Sequence, residues 1–311
     1  MLLYKCGVKS KIMEEIMILN VSGRTDIIAF YEKWFMNRLN AGFVDVRNPF
    51  NPNLVSRINF SDVDLILFCT KNPIPILNDL DKIKIPFIFH VTITPYKNDI
   101  EPNVISKTEI INAVKKISTI IGKDNIYIRY DPIFLSDKYN IVYHIKAFNK
   151  LCTLLKGYVN TIIVSFLDEY KNVLKNKNIL KYRQFTENEY KLIGENFSNI
   201  ARTNNMVVQT CFEDRNLTEY GFKKGECLSH ELAYKLTGKT YKSWKARKER
   251  KCECVEMVDI GCYNSCKHFC KYCYANYDEK MVNENFKNHD VNSSLLCGNL
   301  KKDDIIKVRN K

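Results

Sequence analysis

The sequence predicts an α/β fold, a TIM-like (β/α)8 or partial barrel, on three observations. Short β-rich runs recur along the chain, and helical stretches separate several of them. The runs are mostly apolar rather than alternating, as strands buried on both faces of a parallel sheet are. The chain has 311 residues, 45% hydrophobic and 27% charged, which excludes a disordered chain or a small metal-stapled module. It contains no G-x-G-x-x-G and no G-x-x-x-x-G-K-[ST], so both nucleotide-binding fingerprints are missing.

The first run, residues 16–21 (IMILNV), leads into SGRTD and an amphipathic helix through Trp34 to Leu39. The second, 43–46, ends in RNPFNP with little helix after it. The third, 64–70 (DLILFCT), ends in KNP. The fourth, 87–94 (FIFHVTIT), ends in PY, before a helix near 108–121. The fifth, 126–130 (IYIRY), ends in DP, before a helix near 142–155. The sixth, 161–166 (TIIVSF), ends in LDEY, before a helix near 187–202. The seventh, 206–210 (MVVQT), ends in CFED, before a helix near 226–236. The eighth, 255–260 (VEMVDI), ends in GCYNSC. Residues 1–14 read as an N-terminal extension, 15–278 as the barrel with a cysteine-rich loop at 252–273, and 279–311 as a tail packed on it.

In a parallel barrel the C-terminal ends of the strands converge on one face, where active sites sit. The polar residues ending the runs therefore become candidates, Arg24, Arg129 and Asp131 for catalysis and Ser22, Asp168 and Glu213 for ligand binding. Loops are polar in any case, so Arg129 with Asp131 also reads as a loop-ordering pair. His90, in mid-strand, reads as a satisfied core histidine.

Lys and Arg number 48 against 35 Asp and Glu, a net charge of +13 that raises nucleic acid as a partner without favouring it, because most of the charge is spread out. The exception is residues 239–251 (KTYKSWKARKERK), which read first as a solvated helix or linker. No apolar run approaches the ~20 residues of a membrane span. The first residues lack a secretory h-region, so the expected compartment is the cytoplasm, with no membrane partner.

Twelve cysteines in such a chain point to metal or redox chemistry rather than disulfides. The densest group is Cys266, Cys270 and Cys273, spaced C-x3-C-x2-C with Tyr272 before the last, and Cys262 stands just upstream. Closely spaced thiolates suit soft metals and iron–sulfur clusters, and three of them on a four-iron cubane leave one iron open. A cluster that also uses Cys262 is closed and serves electron transfer, and a structural zinc site is the third alternative. Cys211, Cys227, Cys252 and Cys254 form a candidate second site for an iron–sulfur cluster or zinc.

The spacing at Cys266, Cys270, Tyr272 and Cys273 resembles the C-x3-C-x-aromatic-C motif of the radical S-adenosylmethionine (SAM) superfamily. That resemblance implies an enzyme with a 4Fe–4S cluster on the three thiolates and SAM on the open iron. It also implies Tyr272 packed on adenine or cluster, an electron donor such as ferredoxin or flavodoxin, and a substrate whose identity stays open. The superfamily motif usually follows the first barrel strand, whereas here it follows the last. In a circularly permuted barrel the eighth strand neighbours the first, and the Ser22, Gly23 and Arg24 loop lies beside the cluster to bind the amino end of SAM. The chain as a whole resembles the microbial family called domain of unknown function 1848, over roughly residues 17–305. It does so in the phrases SGRTDI, FMNRLNAGFVDVRNPFNP, TKNP, TPY-x3-IEPN, RYDPI and VDIGCYNSCKHFCKYCYAN. The readings that compete with a radical enzyme are a non-catalytic electron carrier and a zinc-stabilised barrel binding nucleic acid through 239–251.

Overall fold

The apolar runs become strands of a mixed α/β structure in the computed structural model, which describes residues 17–211, 213–244 and 253–309. Cys252, most of the basic stretch and the N-terminal extension lie outside the described residues. The strands are β1 (Met17–Val21), β2 (Phe43–Arg47), β3 (Leu54–Asn59), β4 (Val63–Thr70), β5 (Phe87–Thr92), β6 (Ile126–Ile133), β7 (Thr161–Phe166), β8 (Val207–Thr210), β9 (Lys223–Lys224), β10 (Val258–Asp259) and β11 (Ile305–Val308). The helices are α1 (Ile27–Phe30), α2 (Glu32–Ala41), α3 (Lys107–Ile121), α4 (Ile141–Leu155), α5 (Lys171–Lys175), α6 (Lys177–Leu180), α7 (Glu187–Thr203), α8 (His230–Thr237) and α9 (Glu279–Lys287).

Eight strands form one sheet in the order β10-β1-β4-β5-β6-β7-β8-β9, every pair parallel. The eighth predicted run does lie beside the first, through the pairing of β10 with β1. It is shorter than expected, because Val255 bridges Ser243 instead of joining the ladder. Among the described residues no ladder joins the two edges, β9 and β10.

The second predicted run does not belong to this sheet. β2 pairs antiparallel with β3, and β11 adds parallel to β3 to make a separate three-stranded sheet. The connection at residues 48–53 is too short for a parallel crossover, which needs about a dozen residues, so the chain turns straight back. Buried Asp45 fixes the hairpin by accepting from Arg57 Nε and Nη2, both at 2.8 Å.

Side chains alternate across the main sheet. Ile66, Phe68, Phe89 and Val91 enter the large core shared with α1–α4 and α7, while Leu65, Leu67 and Ile88 pack on Leu228, Ala233, Val255 and Met257. The segment around α8 thus covers the second face. That helix starts later than predicted because Ser229 caps it, accepting from Leu232 N at 3.0 Å, which leaves Cys227 in the preceding loop. The C-terminal segment is tied to α2, with Trp34 Nε1 donating to Ser293 O at 2.8 Å and Arg38 Nη2 to Asn292 O at 3.0 Å. Among the described residues no helix is long and apolar enough to cross a membrane.

At the start of α2, burial and then the hydrogen-bonded Asp79 carboxyl push Glu32 up to about 7 from 4.5. A carboxyl whose folded value is raised contributes stability that is full below its unfolded value and lost as pH rises through the folded one. Thermal midpoints of wild type and Glu32→Gln are therefore expected to match near pH 4.5 and to separate in favour of the variant by pH 8. Parallel curves across that range would contradict the assignment.

Candidate metal centre

Because all eight strands of the main sheet run the same way, their C-terminal ends share one rim. There the loop after β10 lies directly against the loop after β1. The Asp259 carboxylate joins them, accepting from Gly23 N at 2.6 Å, Gly261 N at 2.7 Å, Ser22 Oγ at 2.8 Å and Asn20 Nδ2 at 3.0 Å. Arg24 Nε stands 4.0 Å from the same carboxylate. A Cβ on Gly261 would overlap Ser22 Oγ, so only glycine lets the two loops approach this closely.

The predicted cysteines follow. Cys266 is buried and Cys270 and Cys273 are half-buried; desolvation pushes each thiol up, Cys270 to about 12, and each of the three lies within electrostatic reach of another. The loop is held from below. His268 Nε2 donates to Asp26 Oδ2 at 2.9 Å, and the same carboxylate accepts Lys71 N at 2.7 Å and caps α1 through Ala29 N at 3.0 Å. Tyr31 donates to Ser265 O at 2.6 Å. Asn264, at φ +52°, accepts from Tyr277 N at 2.8 Å and takes Asn285 Nδ2 on its carbonyl at 2.9 Å, fixing the loop to α9. Phe269 is also left-handed, at φ +54°, unusual for a bulky side chain and concentrated here between His268 and Cys270.

Beneath Cys270 sits a buried charge cluster the sequence did not disclose. Glu101, 1% exposed, accepts from Lys71 Nζ at 2.8 Å, Thr94 Oγ1 at 2.6 Å, Lys107 Nζ and the Tyr272 hydroxyl. Burial opposes its charge, yet Lys71 and Lys107 hold its carboxyl down at about 2. Tyr272 is therefore committed inside the protein, packed against Tyr96 and Cys270 with its hydroxyl on Glu101.

Cys262 takes a different partner. Its thiol interacts with that of Cys297, which lowers Cys262 and raises Cys297, and Arg24 reinforces the first effect. The Cys266 thiol senses Asp26, Cys273 and Cys270.

The second cysteine set also converges. Cys211, Cys227 and Cys254 are buried, with their sulfurs all within 4.8 Å of one another, a triad able to hold a metal ion or cluster. Cys252 lies outside the described residues. Arg129 Nη1 donates to Cys227 Sγ at 3.2 Å while its Nε donates to Asp131 Oδ2 at 2.9 Å, so these two candidates do pair and also reach the thiols. Between the two cysteine groups lie Cys69, Asp259 and Tyr274, each within electrostatic reach of its neighbours along the rim.

The remaining candidates lie on the same rim. Asp168 accepts from Tyr170 Oη at 3.2 Å. Glu213 accepts Phe166 N at 2.8 Å, and burial, assisted by Asp168 and Asp131, pushes it up to about 8. Ser22 donates to Asp259, and both polar backbone groups of Gly23 are engaged, the amide with Asp259 and the carbonyl with Tyr274 Oη. Sequence reasoning missed Glu101, Asp259 and the exceptional state of His90. That residue is fully buried, yet neither ring nitrogen meets a hydrogen-bond partner among the described residues.

The donor chemistry fits a thiolate-bound metal group at Cys266, Cys270 and Cys273. Burial and mutual repulsion oppose ionising these thiols together, and a bound cation reverses both effects. Glu101 underlies the loop, and removing its charge leaves two lysines without it. Glu101→Gln is expected to destabilise the protein by about 3–5 kcal/mol, read as a lower thermal midpoint. An unchanged midpoint would mean the cluster of charges does not support the loop.

No curated protein matches the chain. Among solved structures, the c-diGMP-bound FimX EAL domain of Xanthomonas citri aligns at 10% identity over 61% of this chain and 89% of its own, with a TM-score of 0.22. Residues 18–275 match the family model described as Domain of unknown function (DUF1848), and the chain belongs to that family.

Proposed function

We propose that the protein is a radical SAM-type enzyme whose Cys266, Cys270 and Cys273 hold a 4Fe–4S cluster. The observation that carries this reading is the three-thiol set itself, Cys266 buried and Cys270 and Cys273 half-buried in one loop that Asp26, Ser265 and Asn264 hold in place. Cys266, Cys270 and Cys273 would hold the cluster, and the chemistry it would supply is one-electron reductive cleavage of bound SAM.

On this reading the sheet acts as a permuted TIM-like barrel, with β10 in the place of the superfamily's first strand and β1 next to it. Asp259 orders the loop carrying Ser22, Gly23 and Arg24 against the cysteine loop. Lys71, close to Cys270, offsets negative charge on the thiolates. Arg129, Asp131 and Glu213 line the substrate side, where a carboxyl pushed up to about 8 is a neutral hydrogen-bond donor at pH 7. The substrate is open. The reductant is a small electron carrier of the ferredoxin or flavodoxin class, and the site of action is the cytoplasm.

Anaerobic protein reconstituted with iron and sulfide, then given SAM and dithionite, is expected to release 5′-deoxyadenosine. Cys270→Ala should bring release to background and Cys262→Ala should leave it intact. A well-formed cluster with no product in wild type, or dependence on Cys262, would favour the closed electron carrier and sink the radical reading.

A further inference from the structure

The triad of Cys211, Cys227 and Cys254 is assembled from three separate parts of the chain. Cys211 follows β8, Cys227 follows the edge strand β9, and Cys254 precedes the opposite edge strand β10, and the three sulfurs meet against Ile163 and Tyr127. The Cys211 sulfur lies 2.9 Å from that of Cys227 and 3.8 Å from that of Cys254, and Cys227 N donates to Cys254 Sγ at 3.2 Å.

Both separations are short, the 3.8 Å one at the edge length of a tetrahedral site and the 2.9 Å one below it. With bonds of ~2.3 Å, a tetrahedral zinc sets its thiolates ~3.8 Å apart. A cubane places each thiolate on a different iron and so holds them much further apart. A second observation is independent of the thiols. His90, 0% exposed, has no hydrogen-bond partner on either ring nitrogen among the described residues, and its strongest thiol neighbour is Cys227. The Arg129 guanidinium on Cys227 Sγ supplies the outer hydrogen bond typical of a charged metal centre.

We propose that Cys211, Cys227 and Cys254 bind a single zinc ion, which cross-links the two edges of the parallel sheet and closes it covalently where hydrogen bonding does not. The role is structural: zinc is redox-inert, and its binding releases the thiol protons to solvent. This site is separate from Cys266, Cys270 and Cys273, and the inference does not rest on the radical reading.

The test is metal content, by mass spectrometry, of full-length protein purified anaerobically from zinc-supplemented medium, with zinc-edge X-ray absorption. About one zinc per chain is expected, in a sulfur-rich shell at ~2.3 Å. Cys227→Ser should lose that zinc at least tenfold and lower the thermal midpoint, while iron after reconstitution stays at the wild-type level. Should that variant fail to fold, the absorption spectrum of the wild type decides alone. Absence of zinc from the wild type, zinc retained in Cys227→Ser, or an iron loss of one cluster in that variant would overturn the proposal. Release of 5′-deoxyadenosine reports only on the loop cysteines, so failure of either reading leaves the other standing.

Discussion

The Asp259 carboxylate is the constraint on which the rim depends. It collects donors from Asn20, Ser22 and Gly23 on one loop and Gly261 on the next, in a position where burial opposes its charge. A buried carboxylate is tolerated because its lone pairs are satisfied, and it specifies one register between loops that are 239 residues apart at Asn20 and Asp259. With that register fixed, Gly261 can pass Ser22, His268 can reach Asp26, and the cysteine loop settles over Lys71 and Glu101. The tail completes the arrangement, because α9 carries the residue that grips the Asn264 carbonyl.

Two thiol groups of different geometry share this rim. At the triad the sulfurs crowd together, whereas the loop cysteines sense one another without meeting the same close spacing among the described residues. The groups between them are polar or soft: Tyr274, Asp259, Cys69 and Arg129. A redox-inert ion at the triad would brace that side of the sheet, whatever the proposed loop site holds. Cys262 and Cys297 belong to neither group, and both pack on the edge of the large core.

Much of the fold was legible because a strand buried on both faces has to be apolar throughout. Residues 64–70 and 161–166 announce β4 and β7 by composition alone. β2 looked equally like a barrel strand, and only its short return to β3 and the buried Asp45 with Arg57 show otherwise. β9 carried no signal at all, since Lys223 and Lys224 are strand only through their pairing with Gln209 and Thr210. β11 (IIKV) is exposed on every residue, and so short an apolar run between charged flanks carried no strand signal. At the site, local spacing betrayed Cys266, Cys270 and Cys273. Glu101 stayed hidden because its partner Tyr272 is 171 residues away and a lone glutamate in a loop has no pattern. Three of the four cysteines expected in the second set meet, a juxtaposition that strand order implied but no spacing could give.

On the proposed radical reading the loop would offer three thiolates to a bound cluster and leave one iron open. Mössbauer spectroscopy of protein reconstituted with iron-57, recorded before and after SAM, measures this directly. One iron distinct from the other three, with parameters that change when SAM is added, is the expected result. Four cysteine-ligated irons, indifferent to SAM and dependent on Cys262, would contradict it.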